Sequence, residues 1–311
     1  MELGLLDFGN YSTSSNILEK ITCLLEYVEV ADKLGFTRFW LGEHHLSNAS
    51  LAWSNPEMLL PLLASATDNI KIGAAGMLIC IHEPYHIACN FKLLSNLFPG
   101  RIDLGLAKGG IEIQSSINSI KENFNFPLNS SVNFGDIFIK NSLEVIKYLN
   151  IQEKYDYANS GLIISPEYTP DLWLLGTSYN NLNEAIQLKS NFSRSLFHIR
   201  KSIAYDKEVL HNFRLNFFQK NNFQPQTNLA IAAYCSKNHN KCKNIFNFLN
   251  NSPLSVDPKY CIIGSPNEVF DKINKLADLY GYNEIIILNL ADSQTEKIES
   301  ISLIGQVFNI H

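Results

Sequence analysis

A chain of 311 residues with 46% hydrophobic and 18% charged residues can bury a full core, and its length fits one large α/β domain as readily as two smaller ones. A net charge of -5 and a pI near 5.9 give no field favouring nucleic acid or an anionic membrane surface. Residues 1–9 lack a basic leader, and no stretch reaches about 18 uninterrupted apolar residues, so a soluble, cytoplasmic protein with no membrane partner is expected.

Leu3 to Phe8 is a short apolar run that reads as a strand. Behind it Ile17, Ile21, Leu24, Leu25, Val28, Ala31 and Leu34 recur at helical spacing, with Asn16 and Glu19 as a capping pair and Gly35 as the stop. Phe36 to Leu41 is then a buried strand that ends abruptly in Glu43, His44 and His45. In a parallel α/β sheet the carboxyl ends of the strands carry the chemistry, which makes this strand end the organising point of the chain. Successive side chains of a strand point to opposite faces. Bulky Phe39 and Leu41 suit a covering helix, so Glu43 shares their face and His44 points inward with Trp40, while His45 lies behind.

The alternation repeats. Pro56 opens a helix to about Ala66, Ile70 to Leu78 is a strand, Pro84 opens a helix to about Leu97, and Ile102 to Ala107 is a fourth strand. These strands are apolar or small throughout, as expected when both faces are covered. Between Gly109 and Asn133 the period weakens into a connection too long for an ordinary one, which reads as a lid, a binding loop or a surface excursion. A helix from Phe134 to Leu149 follows, and Leu172 to Gly176 is the fifth strand, ending in Thr177-Ser178 before a helix from about Asn181 to Lys189. Phe192 to Ile199 is a sixth strand, residues 200–222 are helical, Asn228 to Tyr234 is the seventh strand, and Asn240 to Leu249 a short helix. A helix from Pro266 to Tyr280, a strand from Glu284 to Leu290 and a last helix near 296–308 close the count.

Eight strands in β/α alternation fit an eight-fold β/α (TIM) barrel with an extended loop after strand four, in a single domain over 1–311. The six cysteines, Cys23, Cys80, Cys89, Cys235, Cys242 and Cys261, form no Cys-x-x-Cys pair and read as reduced core residues. Glu43-His44-His45 offers three ligand types, yet adjacent strand residues diverge and no His-Glu-x-x-His occurs, so no metal is expected. His82, His86 and His198 lie where they could reach either the mouth of the barrel or the surface.

Six stretches, in order and at barrel spacing, resemble the bacterial-luciferase-like flavin monooxygenases. They are Leu3-Gly4-Leu5-Leu6-Asp7, Phe39-Trp40-Leu41-Gly42-Glu43-His44-His45, Ile70-Lys71-Ile72-Gly73, Pro99-Gly100-Arg101-Ile102-Asp103-Leu104-Gly105-Leu106, Leu174-Leu175-Gly176-Thr177-Ser178 and Ile263-Gly264-Ser265-Pro266. The resemblance implies a barrel that takes reduced FMN from a separate flavin reductase and oxidises a small organic substrate with O2 through a flavin hydroperoxide. It places His44 beside the flavin as the acid-base group, with Glu43 orienting or anchoring it. It implies a non-proline cis peptide at Ala74-Ala75 beneath the ring, phosphate contacts from Gly176, Thr177 and Ser178, and a cationic contact from Lys108 and Gly109, where the family commonly has Arg. Ala107 stands where the luciferases carry a reactive Cys, which argues against light emission. A homodimer is expected by the same analogy. Two other readings stay open: a deazaflavin-dependent oxidoreductase of the same superfamily, and a flavin-binding protein without turnover.

Overall fold

The computed structural model describes residues 1–9, 16–45, 53–109, 134–150, 167–198, 207–251, 256 and 258–310. Strand β1 (Glu2–Asp7) leads to helix α1 (Ile17–Lys33), whose start is fixed by the expected capping box: the Glu19 amide donates to Asn16 Oδ1 at 2.9 Å and the Asn16 amide to Glu19 Oε2 at 3.2 Å. Gly35 turns the chain at φ 87°, a conformation that only glycine adopts freely, and β2 (Arg38–Leu41) follows. Then come α2 (Leu60–Ser65), β3 (Lys71–Leu78), α3 (Pro84–Leu97), β4 (Ile102–Ala107), α4 (Phe134–Leu149), β5 (Asp171–Gly176), α5 (Leu182–Leu188) and β6 (Asn191–Ser195). The chain ends with α6 (Lys207–Asn221), β7 (Thr227–Cys235), α7 (His239–Asn251), β8 (Cys261–Gly264), α8 (Pro266–Tyr280), β9 (Glu284–Asn289) and α9 (Gln294–Phe308).

Strands β1 to β7 and β9 pair in parallel in that order and close where β9 meets β1, giving the eight-stranded barrel with helices between strands. The short β8 is an addition to the expected count. It pairs with the last residues of β7, Ala232 to Cys235, beyond most of the stretch where β7 pairs β9, so it lies on the rim rather than in the wall. The helix expected from Pro56 to Ala66 is split: Pro56–Met58 forms a 3-10 turn, and α2 starts anew with Pro61 in its first turn, where a missing N–H costs nothing. Strand β6 stops at Ser195, four residues short of the expected end. The long connection after β4 lies outside the described residues over 110–133.

Strand parity divides the core in two. Leu3, Leu5, Phe39, Leu41, Ile72 and Ala74 face the helices, whereas Leu6, Phe8, Trp40, Trp173, Ala230, Ala232, Ile286 and Leu288 fill the barrel. The interior is layered. Trp40 and Trp173 meet edge to face with centroids 5.1 Å apart, and each has a glycine on a neighbouring strand, Gly73 beside Trp40 and Gly105 beside Trp173. Below them, at the amino ends of the strands, Arg38 is 3% exposed and donates to Asp103 Oδ2 at 2.6 Å, to Glu284 Oε1 and to Gln226 Oε1 at 3.0 Å. Both tryptophan indoles also donate to Asp103, which is 0% exposed. This ionic plug seals the floor of the barrel and leaves the opposite end for chemistry.

Candidate active site

At the carboxyl end of β2 the alternation persists past the last strand residue. His44 turns to the inner side, its ring edge-on to Phe8 with centroids 4.6 Å apart. Gly42 makes this possible, since a Cβ there would come within 2.3 Å of the Phe8 ring. Burial pushes the His44 imidazole down to about 4, more than the nearby Glu43 charge raises it, so the ring is neutral at pH 7. Its backbone N–H donates to the Trp53 carbonyl at 2.9 Å; the Trp53 indole donates to Asp7 Oδ1 at 2.7 Å, and the Lys297 ammonium donates to Asp7 Oδ2 at 3.0 Å. The strand end is therefore held by a buried chain of polar groups running from β2 through β1 to α9.

Glu43 faces the other way. Its Oε2 accepts from the Leu78 amide at 2.7 Å, and its Oε1 lies 2.5 Å from His45 Nε2 and 2.7 Å from His82 Nε2. Burial alone would raise the carboxyl, but the hydrogen bond and charge of His82, then His45 and the Leu78 amide, bring it below its ordinary value. For His82 the order is the same with opposite sense: burial lowers it, and the Glu43 hydrogen bond and charge more than reverse this. The carboxylate thus ties the end of β2 to the end of β3 and to the turn before α3. The divergence that argued against a ligand cluster holds for His44 alone. Glu43, His45 and His82 do converge, with ligand atoms within 4.8 Å of one another. His82 was not expected in this cluster because it comes from 39 positions further along, on another loop. His86 is exposed on α3.

On β3 the non-proline cis peptide is present, shifted by one position. The cis peptide is Ala75-Gly76 rather than Ala74-Ala75, at the point where the β3–β4 register lapses between Ala74 and Met77. Ala74 points to the helices and is fully buried among them, so of the expected pair only half-buried Ala75 packs on the interior side. Gly76 is needed here, since a Cβ on it would meet Leu175 Cδ1 at 2.5 Å and the Gly105 carbonyl at 2.8 Å. Lys108 and Gly109 are exposed just past β4, and Gly176, exposed Thr177 and half-buried Ser178 follow neighbouring β5. Ser178 Oγ already accepts from the Asn180 amide at 3.4 Å, and the chain enters a 3-10 turn before the seven-residue α5. Among the described residues the helix that follows this turn is short, so the groups on offer here are the backbone amides and hydroxyls of the turn itself.

Sequence reasoning left His198 undecided. It follows β6, beside Phe197 in the interior cluster; its ring lies 6.1 Å from that of Phe8, and its Nδ1 is 3.1 Å from Ser195 Oγ. Burial, and to a lesser degree His44, push it to about 4.

These two depressed histidines set the acid limb of stability. Their folded values lie below the ordinary imidazole range, so as pH falls through about 6.5 the unfolded chain takes up protons that the folded one refuses, and stability is lost down to about 4. Allowing for partial exposure, each is expected to remove about 1 kcal/mol between pH 6.5 and 5. Glu43 acts only further down, because its stabilisation is lost as pH falls through its lowered value, while that of His82 is lost only as pH rises above the imidazole range. His44→Gln should flatten the fall in Tm across that interval; an unchanged slope would show that the ring is hydrated and ordinary.

The family comparison settles what kind of barrel this is. A model of the luciferase-like monooxygenases matches residues 1–185. The chain belongs to that family. Across its whole length it is similar to the uncharacterized protein YwcH of Bacillus subtilis (strain 168), 25% identical over 344 residues and covering 99% of both chains. Among solved structures, the oxygenating constituent of 3,6-diketocamphane monooxygenase from Pseudomonas putida, a type II Baeyer-Villiger enzyme in complex with FMN, superposes with TM-score 0.74 at 17% identity, covering 98% of this chain and 97% of that one. An F420-dependent secondary alcohol dehydrogenase superposes with TM-score 0.70 at 14% identity, covering 97% and 98%. As a luciferase-like monooxygenase, the chain is an enzyme of oxygen-dependent oxidation. Among the described residues no helix is long and apolar enough to cross a membrane.

Proposed function

We propose that this luciferase-like monooxygenase is a two-component enzyme: a separate reductase delivers reduced FMN, and the barrel uses it with O2 to oxidise a small organic substrate. The observation that carries the reading is His44, a neutral imidazole on the inner side of the open end of the barrel, placed against an aromatic wall and anchored through its own backbone. The surroundings fit a flavin. Ala75 and Gly76 offer a wall almost without side chains, Gly76 being packed so closely on Leu175 and the Gly105 carbonyl that no side chain fits there. Lys108, Gly109, Gly176, Thr177 and Ser178 stand at the ends of adjacent strands, where an ammonium, backbone amides and the exposed Thr177 hydroxyl can hold a phosphate. Lys108 binds it as a point charge rather than a planar fork.

Bound reduced flavin supplies the two electrons that activate O2. The protein's own work is to bind, position and move protons. His44 exchanges a proton with the reacting groups through a ring nitrogen, Phe8 and Phe197 exclude water on one side, and Glu43 acts as a positioning residue through Leu78, His45 and His82. The chain works as one domain, assembles as a homodimer and acts in the cytoplasm. Its relationship to F420-dependent barrels makes the deazaflavin the control cofactor. Anaerobic titration should show reduced FMN binding at least about ten times more tightly than reduced F420, and the FMN complex should consume O2 on mixing. Tighter binding of F420, without O2 consumption, would replace the reading with hydride transfer; FMN binding without O2 consumption would leave a flavin carrier.

A further inference from the structure

The open end of the barrel holds two imidazoles, from strand ends on opposite sides of the ring of strands. His44 follows β2 and His198 follows β6, and both rings lie against Phe8, with centroids 4.6 and 6.1 Å from it. The inner side of β6 carries Ser193 and Ser195, Phe197 belongs to the interior cluster, and His198 closes on the Phe197 ring at 4.3 Å. The two histidines differ from His45 and His82, which share the Glu43 carboxylate. Among the described residues no carboxylate is bonded to His198, and its hydrogen-bond partner is the Ser195 hydroxyl at Nδ1. The Ser195 hydroxyl can serve as donor or acceptor at this distance, and where it donates to Nδ1 the proton of the neutral ring sits on Nε2, at the ring edge away from Ser195.

We propose that His198 is a second catalytic residue of this pocket, the proton donor that complements His44, with Ser195 as the positioning residue that sets its tautomer. The proposal rests on the monooxygenase reading. In that reaction reduced flavin enters as its anion and brings two electrons and one proton; one atom of O2 goes to the substrate and the other leaves as water. One further proton must therefore be delivered to the departing oxygen. His198 Nε2–H supplies it in one concerted relay: Nδ1 takes the Ser195 hydroxyl proton as Nε2–H leaves, and solvent replaces the hydroxyl proton, so neither an imidazolate nor an alkoxide is left behind. Burial keeps both rings neutral near pH 7, so neither places a standing charge beside the flavin.

The test uses reduced FMN and O2 as probes, with release of hydrogen peroxide as the readout where no organic substrate is supplied. His198→Gln retains a hydrogen-bonding side chain but cannot relay a proton. It should slow O2-dependent reoxidation of the bound flavin at least about 10-fold and abolish its solvent deuterium isotope effect, with reduced-FMN affinity within about 3-fold of the parent. His198→Ala should be slowed equally and regain rate with added imidazole, which a packing defect would not do. In the protein without flavin, His44→Gln should move the NMR titration of the His198 ring upward, because both rings lie against Phe8 and His44 holds the His198 value down. Reoxidation at the parental rate in His198→Gln, no rescue of His198→Ala by imidazole, or a His198 titration blind to His44 would each overturn the proposal. Failure of the parent protein itself to bind reduced FMN or react with O2 would instead overturn the monooxygenase reading.

Discussion

His44→Gln is expected to lower the rate of substrate oxidation by about 10²- to 10⁴-fold at pH 7 while leaving the Kd for reduced FMN nearly unchanged, the range that a positioned acid-base group supplies. The imidazole is held by its backbone N–H on Trp53 and by ring contact with Phe8, so its placement does not depend on the flavin, and removing it leaves untouched Lys108 and Thr177, the residues proposed to hold the phosphate. Glutamine is close in size and polar, so the Phe8 wall keeps a neighbour and the variant should fold. Stopped-flow measurement of flavin reoxidation together with anaerobic titration separates the two parameters. Equal loss of rate and affinity would mean that His44 is a binding group, and no loss of rate would remove it from the mechanism.

Arg38→Ala should destabilise the protein by about 3–5 kcal/mol, the cost of breaking a buried ion pair and stranding its partner. Here two carboxylates are stranded. Arg38 sits between Asp103 and Glu284, with its guanidinium over the Trp173 ring at 4.6 Å and near Trp40 at 5.5 Å. Burial disfavours the charge, but the Asp103 and Glu284 carboxylates outweigh it and hold Arg38 protonated well above its ordinary range. Asp103 is already raised by burial, against the pull of Arg38. Without the cation it rises further, so the folded variant binds a proton that the unfolded chain does not. The deficit relative to the parent should therefore shrink between pH 7 and 5. Chemical denaturation at both pH values tests this, and a deficit below about 1 kcal/mol at pH 7 would show the floor of the barrel to be hydrated.

Much of the architecture was legible from local chemistry. Gly35, Pro84, Pro266 and the Asn16–Glu19 cap mark helix ends by mechanisms confined to a few residues, and those boundaries agree with the structure. The inward direction of His44 was legible too, because strand parity puts it with Trp40 and opposite to Phe39 and Leu41, which pack toward the helices. What escaped is long-range. Arg38 finds Asp103 65 positions away and Glu284 246 away; Asp7 finds Lys297 290 away; His82 joins Glu43 only once α2 and β3 are in place. No periodicity carries such pairings, because each member alone reads as a polar residue in an apolar strand or helix. Strand β8 was missed because four residues, Cys261–Gly264, are too few to show a period. The cis peptide was displaced by one residue because Ala74, Ala75 and Gly76 are all small, and only the register lapse of β3 on β4 distinguishes them.

The arrangement joins the ionic floor, the edge-to-face tryptophans and the histidine-bearing mouth into one column along the barrel axis. Its upper end is expected to receive the flavin ring. A crystal structure of the protein with FMN tests this most directly: the ring should lie against Ala75 and Gly76 with His44 at its edge, and the phosphate between Lys108 and Thr177. A flavin found outside the barrel, for example in the groove of about 260 Å³ lined by Tyr179, Asn183, Asn212 and Phe213, would contradict it.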